Sequence, residues 1–364
     1  MSYFAGEKGV QFESFSKQTK CECEAERSEM TPVRFIFGGG DSLYKRCAPE
    51  FPFLRDDLFF HENTQPDDGW LVVCNAIRTP LLTRVSRSRR IFIVGESSLR
   101  HHPVAYLNQF GVLISPFRVA GYGGQWFQSH PAIPWFFGVS FCRGAFLPTL
   151  GYRDLVNLPV PEKRDAVSVV VSTKVVHPGH RKRLRFIERL KDLLGDRLVV
   201  FGRGIHEIGD KADAILPFAY HLALENRVEP YYLTEKFADG LLGYALPVYS
   251  GCPDVERWFP AGCFERVELE RPDEAAVRIM KLMEVGVWRQ RLPLIIEARR
   301  RAMEQETVFN VAARAIAAYP DNTSLLKVFD RVVAPSRPLG ERIGFEIVRA
   351  YHQITFRTRL GRER

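Results

Sequence analysis

Hydrophobic residues along the chain fall into short runs and one-sided stripes that predict alternating strands and helices. Val33-Arg-Phe-Ile-Phe37, followed by Gly38-Gly-Gly-Asp41, reads as a strand ending in a flexible turn. Leu71 to Cys74 and Ile91 to Val94 are apolar runs between basic and turn-rich segments, the spacing of buried parallel strands. From about 115 to 150 the chain is rich in glycine and aromatic residues, among them Phe117, Tyr122, Trp126, Phe127, Trp135, Phe136 and Phe137, without a helical period. Loops are expected there. Leu158-Pro-Val-Pro161 and the charged Glu162 to Asp165 read as a linker, because two prolines forbid helix and interrupt regular pairing.

A second series begins at the strand Val167 to Val171. His180 to Leu194 carries a helical stripe of Leu184, Ile187, Leu190 and Leu194, and Leu198 to Phe201 is a strand before Gly202 and Gly204. Strand, helix and strand in this order imply a parallel sheet. From Leu222 come a strand, a loop at Asn226 to Pro230, a helix carrying Thr234 to Leu242, and a strand from Ala245 to Tyr249 before Gly251-Cys-Pro253. The segment 273–318 reads as helical. Past Pro335 and Pro338, Gly340 to Arg364 sets Ile343, Phe345, Ile347, Val348, Tyr351, Ile354 and Phe356 against Arg349, Arg357, Arg359, Arg362 and Arg364. Such a basic amphipathic helix suits an anionic membrane surface and packing against another part of the chain equally well. The expected divisions are an arm over 1–30, two Rossmann-like units over 31–160 and 165–318 that face a cleft, and a helical tail over 319–364.

At 364 residues and 46% hydrophobic the chain can bury two ordinary cores. Its 51 Lys and Arg against 43 Asp and Glu leave +8, which attracts anions without naming them. Basic residues cluster at Arg84, Arg87, Arg89 and Arg90 and again from His180 to Arg185, so local anion sites are expected. With no zinc-finger spacing, helix-turn-helix pattern or RNP-type aromatic signature, no nucleic-acid partner is expected. The seven cysteines are odd in number and scattered, which fits a reducing compartment, and Cys21-Glu-Cys23 lacks a second pair for zinc. No run of 18 uncharged apolar residues occurs. The expectation is a cytoplasmic protein, with 340–364 as the candidate for peripheral attachment to the inner face of the membrane.

The densest chemical signal runs from His221 to Lys236, with Pro247-Val-Tyr-Ser-Gly251 after it. Leu224-Glu225-Asn226, Tyr232-Leu-Thr-Glu-Lys236 and that Pro-to-Gly turn resemble the F-E-N, Y-V-T-E-K and P-V/I-x-x-G pattern of family 10 glycosyltransferases, the α-1,3/1,4-fucosyltransferases, here of bacterial type. Arg183-Leu-Arg-Phe186 with Leu190 is similar to the family's R-x-x-F-x-x-x-L helix, although Ser172-Thr173 stands where Ser-Asn is frequent. Ile93-Val-Gly-Glu96 resembles its strand-end Gly-Glu. The likeness covers roughly 90–270.

The resemblance implies a GT-B-like α/β fold, with 31–160 on the acceptor side and 165–318 holding the donor. It implies inverting transfer of fucose from GDP-fucose, or a related nucleotide sugar, to an oligosaccharide or glycolipid of a surface glycan or lipopolysaccharide. It assigns Arg183 and Lys236 to the diphosphate, Glu235 to sugar hydroxyls and Tyr232 to packing on sugar or nucleotide. Glu225 and Asn226, at a strand end, serve either the ligand or the loop. Glu96 becomes the general base, with His101 and His102 as neighbouring alternatives. No Asp-x-Asp motif is present, Asp67-Asp68 lying in a turn-like segment, so neither a metal nor another cofactor is expected. Other readings are a transferase using another GDP- or UDP-sugar and a non-catalytic carbohydrate- or membrane-binding protein on the same fold. A dehydrogenase is disfavoured because Gly38-Gly-Gly40 lacks G-x-G-x-x-G spacing.

Overall fold

The computed structural model describes residues 30–334 except 39–40, 63–68, 76, 78, 96–101, 133, 143–144, 172–177, 203–204, 322–325 and 327–329. The first unit runs through β1 (Thr31–Phe37), α1 (Asp41–Lys45), β2 (Phe53–Arg55), β3 (Leu58–His61), β4 (Trp70–Cys74), β5 (Leu81–Thr83), β6 (Arg90–Ile93), α2 (Val104–Leu107), β7 (Val112–Ser115) and β8 (Gln125–Gln128). Seven of these strands form one sheet in the order β2-β3-β1-β4-β6-β7-β8, parallel except for the β2–β3 pair. Successive side chains of a strand point to opposite faces. Accordingly Trp70, Val72 and Cys74 of β4 enter one core and Leu71 and Val73 another, which is why this strand reads as one unbroken apolar run.

The segment expected to be loops contains, besides β8, an antiparallel hairpin of β9 (Val139–Cys142) and β10 (Ala145–Pro148), followed by α3 (Tyr152–Asn157). The hairpin escapes a hydrophobic pattern because β10 is exposed along its whole length, so no buried face imposes alternation.

The second unit comprises β11 (Arg164–Val170), α4 (Pro178–Leu194), β12 (Leu198–Phe201), β13 (Phe218–Leu224), α5 (Glu235–Leu242), β14 (Leu246–Ser250), β15 (Glu265–Arg266), α6 (Pro272–Val285) and α7 (Val287–Glu304). Its five strands are all parallel, ordered β12-β11-β13-β14-β15. Every residue of β13, the central strand, is buried. The fold is therefore α/β, built on one wholly parallel sheet and one that is parallel except at its β2–β3 edge.

Two expected boundaries move. The next helix, α8 (Val308–Ala318), lies within the 165–318 segment, yet Val308, Phe309, Val311, Ala312, Ala315 and Ile316 join the core of the first sheet. Phe309 packs among Phe35, Phe51, Phe53 and Phe60 at centroid distances of 5.0 to 5.8 Å. Beyond it, the described part of the expected helical tail contains a strand, β16 (Asp330–Val332), antiparallel to β5. The 84–90 arginine cluster holds this returning chain and is not an open anion site. Arg84 Nε donates to Leu326 O at 3.1 Å, Arg89 Nε donates to Asp321 O at 2.8 Å, and Arg90 pairs with Asp330 at 2.6 Å. Residues 1–29, the arm, and 340–364, the amphipathic stretch, lie outside the described residues. Among the described residues no helix is long and apolar enough to cross a membrane.

Candidate active site

A cavity of about 580 Å³ opens at the C-terminal ends of β11, β12 and β13, where ligands of parallel α/β sheets bind. Arg183 of α4 and Glu235 and Lys236 at the start of α5 line it, together with Lys211 and His221. The hairpin and the loop before it add Phe136, Val139, Phe141 and Phe146 to the lining.

Helical spacing selects Arg183 from its basic cluster. Leu184, Phe186, Ile187 and Leu190 turn one face of α4 into the core and carry Arg183 with them, whereas Arg181, Lys182 and Arg185 are exposed. Arg183 is only 8% exposed; it donates to Asn226 Oδ1 at 2.8 Å, and its Nε is buried with no partner. Burial lowers its pKa, against the pull of Glu225 and Glu235, but a guanidinium stays charged. A buried cation with an unused N–H is poised for an anion.

The Tyr-Leu-Thr-Glu-Lys motif makes the start of α5. Thr234 is the N-cap, its Oγ1 accepting the Lys236 backbone N–H at 3.5 Å. Glu225, at the end of β13, accepts the Thr234 backbone N–H and hydroxyl at 2.8 Å each. Lys236 Nζ donates to Thr234 Oγ1 at 2.9 Å and Glu235 Oε1 at 3.0 Å, and lies 3.4 Å from Glu225 Oε2. Burial alone would lower the Lys236 pKa, but Glu235 and Glu225 hold it above the usual lysine value. Burial likewise opposes ionisation of Glu235, and Lys236 and Lys211 outweigh it, keeping that carboxyl below its ordinary range. For Glu225, fully enclosed, burial prevails and raises the pKa.

The six described candidates thus divide. Arg183, Glu235 and Lys236 line the cavity. Glu225 braces Thr234 and Lys236, Asn226 orients Arg183, and Tyr232, 4% exposed, is packed inside. Gly251, which closes the Pro-to-Gly turn, is needed for this brace: a Cβ there would stand 2.4 Å from both Glu225 Cγ and Tyr249 Oη. Gly179 in the first turn of α4 has a similar duty, its Cβ position being 2.0 Å from Asn226 O. Glu96 and His101 fall outside the described residues, while His102 packs edge-on to Phe92 at 4.9 Å.

Sequence reasoning missed three features in or beside the cavity. Asp239, fully buried on α5, accepts the backbone N–H groups of Phe136 and Phe137 at 2.8 and 3.0 Å and pairs with Lys211. An acid between Phe237 and Leu241 on the apolar side of a helix is the signal that marked it. His221 shares a 2.8 Å hydrogen bond with Ser168 Oγ, and burial pushes its pKa down to about 3, keeping it neutral. Phe141 and Phe146 of the hairpin are the third.

Residues 160–284 match the model of the C-terminal domain of glycosyltransferase family 10 (fucosyltransferase). The matched segment contains Arg183, Glu235 and Lys236 together with the residues that hold them. A fucosyltransferase-like protein of Arabidopsis thaliana is 33% identical over 75 residues, 20% of this chain; the match spans 15% of that protein's length. An α1,3-fucosyltransferase crystallised with GDP-fucose is 16% identical, with a TM-score of 0.46 over 82% of this chain and 94% of that one. A second α1,3-fucosyltransferase structure is 15% identical, with a TM-score of 0.47 over 81% of this chain and 92% of that one.

Proposed function

We propose that this protein is a metal-independent fucosyltransferase that moves fucose from GDP-fucose to a carbohydrate acceptor with inversion. The observation that carries this reading is the buried, half-satisfied guanidinium of Arg183, lining the same cavity as Lys236 within the segment that matches the family 10 model. An acceptor hydroxyl attacks the anomeric carbon opposite the diphosphate. As the new C–O bond forms, the old one breaks and GDP leaves with its electron pair. Charge developing on the β-phosphate is met by Arg183 and Lys236. Glu96, three residues past the end of β6 in sequence, takes the hydroxyl proton. Glu235, held ionised, accepts hydrogen bonds from the sugar. Glu225 and Asn226 keep the two cations aimed. An acceptor on a surface glycan or lipopolysaccharide, an α-1,3/1,4 linkage and attachment to the inner membrane face through 340–364 complete the proposal.

A thermal-shift panel tests the donor, since a ligand at a hundred times its Kd adds about 2.7 kcal/mol of apparent stability. GDP and, more strongly, GDP-fucose should raise the melting temperature of the protein whether or not EDTA is present. Lys236→Ala should abolish transfer and shrink the GDP shift. Preference for UDP, or full turnover by folded Lys236→Ala, refutes the reading.

A further inference from the structure

Immediately before the motif that opens α5 stands a tyrosine with a left-handed backbone. Tyr231 has φ 61°, a conformation that costs free energy for a residue with a side chain and persists only where the surroundings enforce it. Its carbonyl accepts the Leu233 N–H at 3.1 Å, so this residue turns the chain into Thr234, the N-cap, and sets the direction in which α5 presents Lys236. Three contacts hold it. Its N–H donates to Asp254 Oδ1 at 3.0 Å, the Arg257 guanidinium lies 5.1 Å from its ring centre, and Trp258 packs edge-on to the same ring at 5.4 Å.

The contacts continue into the first unit. Trp258, half-buried against the core of the second unit, also meets the ring of His130 edge-on at 5.1 Å. His130 lies two residues past the end of β8 and is only 3% exposed. Both of its ring nitrogens are engaged: Nδ1 accepts the Ala132 N–H at 3.1 Å and Nε2 donates to Glu306 Oε2 at 2.9 Å, an oxygen that Arg314 of α8 also binds at 2.6 Å. The imidazole is therefore fixed in orientation and offers Trp258 a rigid surface. His130, Tyr231 and Trp258 do not line the cavity that holds Arg183 and Lys236.

We propose that His130, Trp258 and Tyr231 are positioning residues, a file of rings through which the first unit holds the left-handed turn at Tyr231 and with it the aim of Lys236. This rests on reading the cavity as a nucleotide-sugar site. Glu225 fixes Thr234 from the strand side, whereas Tyr231 fixes the chain that leads into it. Without Trp258 the strained backbone at Tyr231 is free to relax towards an ordinary conformation, and the start of α5 shifts with it. Nucleotide affinity then depends on a first-unit residue that never touches the nucleotide.

The test measures GDP binding by calorimetry, and melting temperature, for the full chain and for Trp258→Ala, Trp258→Phe, His130→Gln and the Trp258→Ala/His130→Gln double variant. Glutamine can still donate to Glu306, so His130→Gln removes the ring contact and keeps the buried carboxylate paired. From the strength of edge-on aromatic pairs, Trp258→Ala should bind GDP roughly three- to tenfold more weakly. His130→Gln should weaken it in the same direction, and Trp258→Phe should restore it. The double variant should bind no more weakly than Trp258→Ala, because both changes cut one path. Additive losses, or lowered melting temperatures with GDP affinity unchanged, would overturn the proposal while leaving the nucleotide site standing. Should Trp258→Ala fail to fold, wild-type GDP affinity in His130→Gln is enough to refute it. A wild-type chain that does not bind GDP would overturn the nucleotide-sugar reading as well.

Discussion

Asp239→Asn tests how the two units are joined. Asp239 is fully buried; one oxygen accepts two backbone N–H groups from the loop before the hairpin, and the other faces Lys211. Asparagine can keep the amide contacts through its carbonyl but turns an NH2 towards the ammonium. Breaking a buried pair costs about 3–5 kcal/mol. With the amide bonds kept, the low end applies, about 3 kcal/mol. Lys211→Met, which leaves Asp239 as a buried carboxylate without its cation, should cost a similar amount. The double variant removes both charges and should lose about 2 kcal/mol, so the coupling is roughly 4 kcal/mol where independent sites agree within about 0.5. Urea denaturation followed by tryptophan fluorescence measures all four proteins. Additive costs would refute the strut. A second readout is proteolysis, because Asp239→Asn should expose the 136–150 segment to cleavage before global unfolding.

Glu96→Gln should abolish transfer while GDP still binds with wild-type affinity in calorimetry; an active variant moves the base elsewhere. Gly251→Ala forces a methyl into Glu225 and Tyr249, and since Glu225 is pinned by Thr234 and Lys236 the overpacking should cost about 2 kcal/mol and weaken GDP binding. A stable, fully active Gly251→Ala protein would contradict the brace. His221 should contribute to acid sensitivity. Its pKa is about 3 in the fold against 6.5 for the free residue, so the unfolded chain binds the extra proton: the contribution is complete above pH 6.5 and is lost as pH falls towards 3. In melting temperatures taken from pH 7 to pH 4, His221→Asn should show a shallower decline than wild type; parallel curves would count against it.

Local pattern announced the strands whose two faces are both buried, such as β4 and β13, because burial on both sides leaves no polar alternation to confuse them. The Leu184, Ile187 and Leu190 stripe announced α4, and the same stripe, read one residue earlier, puts Arg183 on the buried face. The donor motif located α5 and its cap. Features made by distant pairing stayed hidden. Nothing near Phe146 shows that Asp239, far along the chain, will hold its neighbours, and nothing in 308–318 shows which of two cores its apolar stripe will enter. The division of Glu225 from Glu235, one a brace and one facing the cavity, depends on where each oxygen points and is invisible in spacing.

The return of α8 to the first sheet fixes an order of assembly on the ribosome. The first unit's strands are all synthesised by about residue 128, but Phe309 and the rest of α8 fill their core only after the entire second unit has been made. At about 5–20 residues per second, the apolar face around Phe35, Phe53 and Phe60 waits roughly ten seconds or longer for its cover. A nascent chain in that interval is a natural client for chaperones. Constructing the amino-terminal unit alone, cut at the 158–161 linker, would make the exposure permanent, so a soluble fragment needs α8 supplied in trans or grafted behind it.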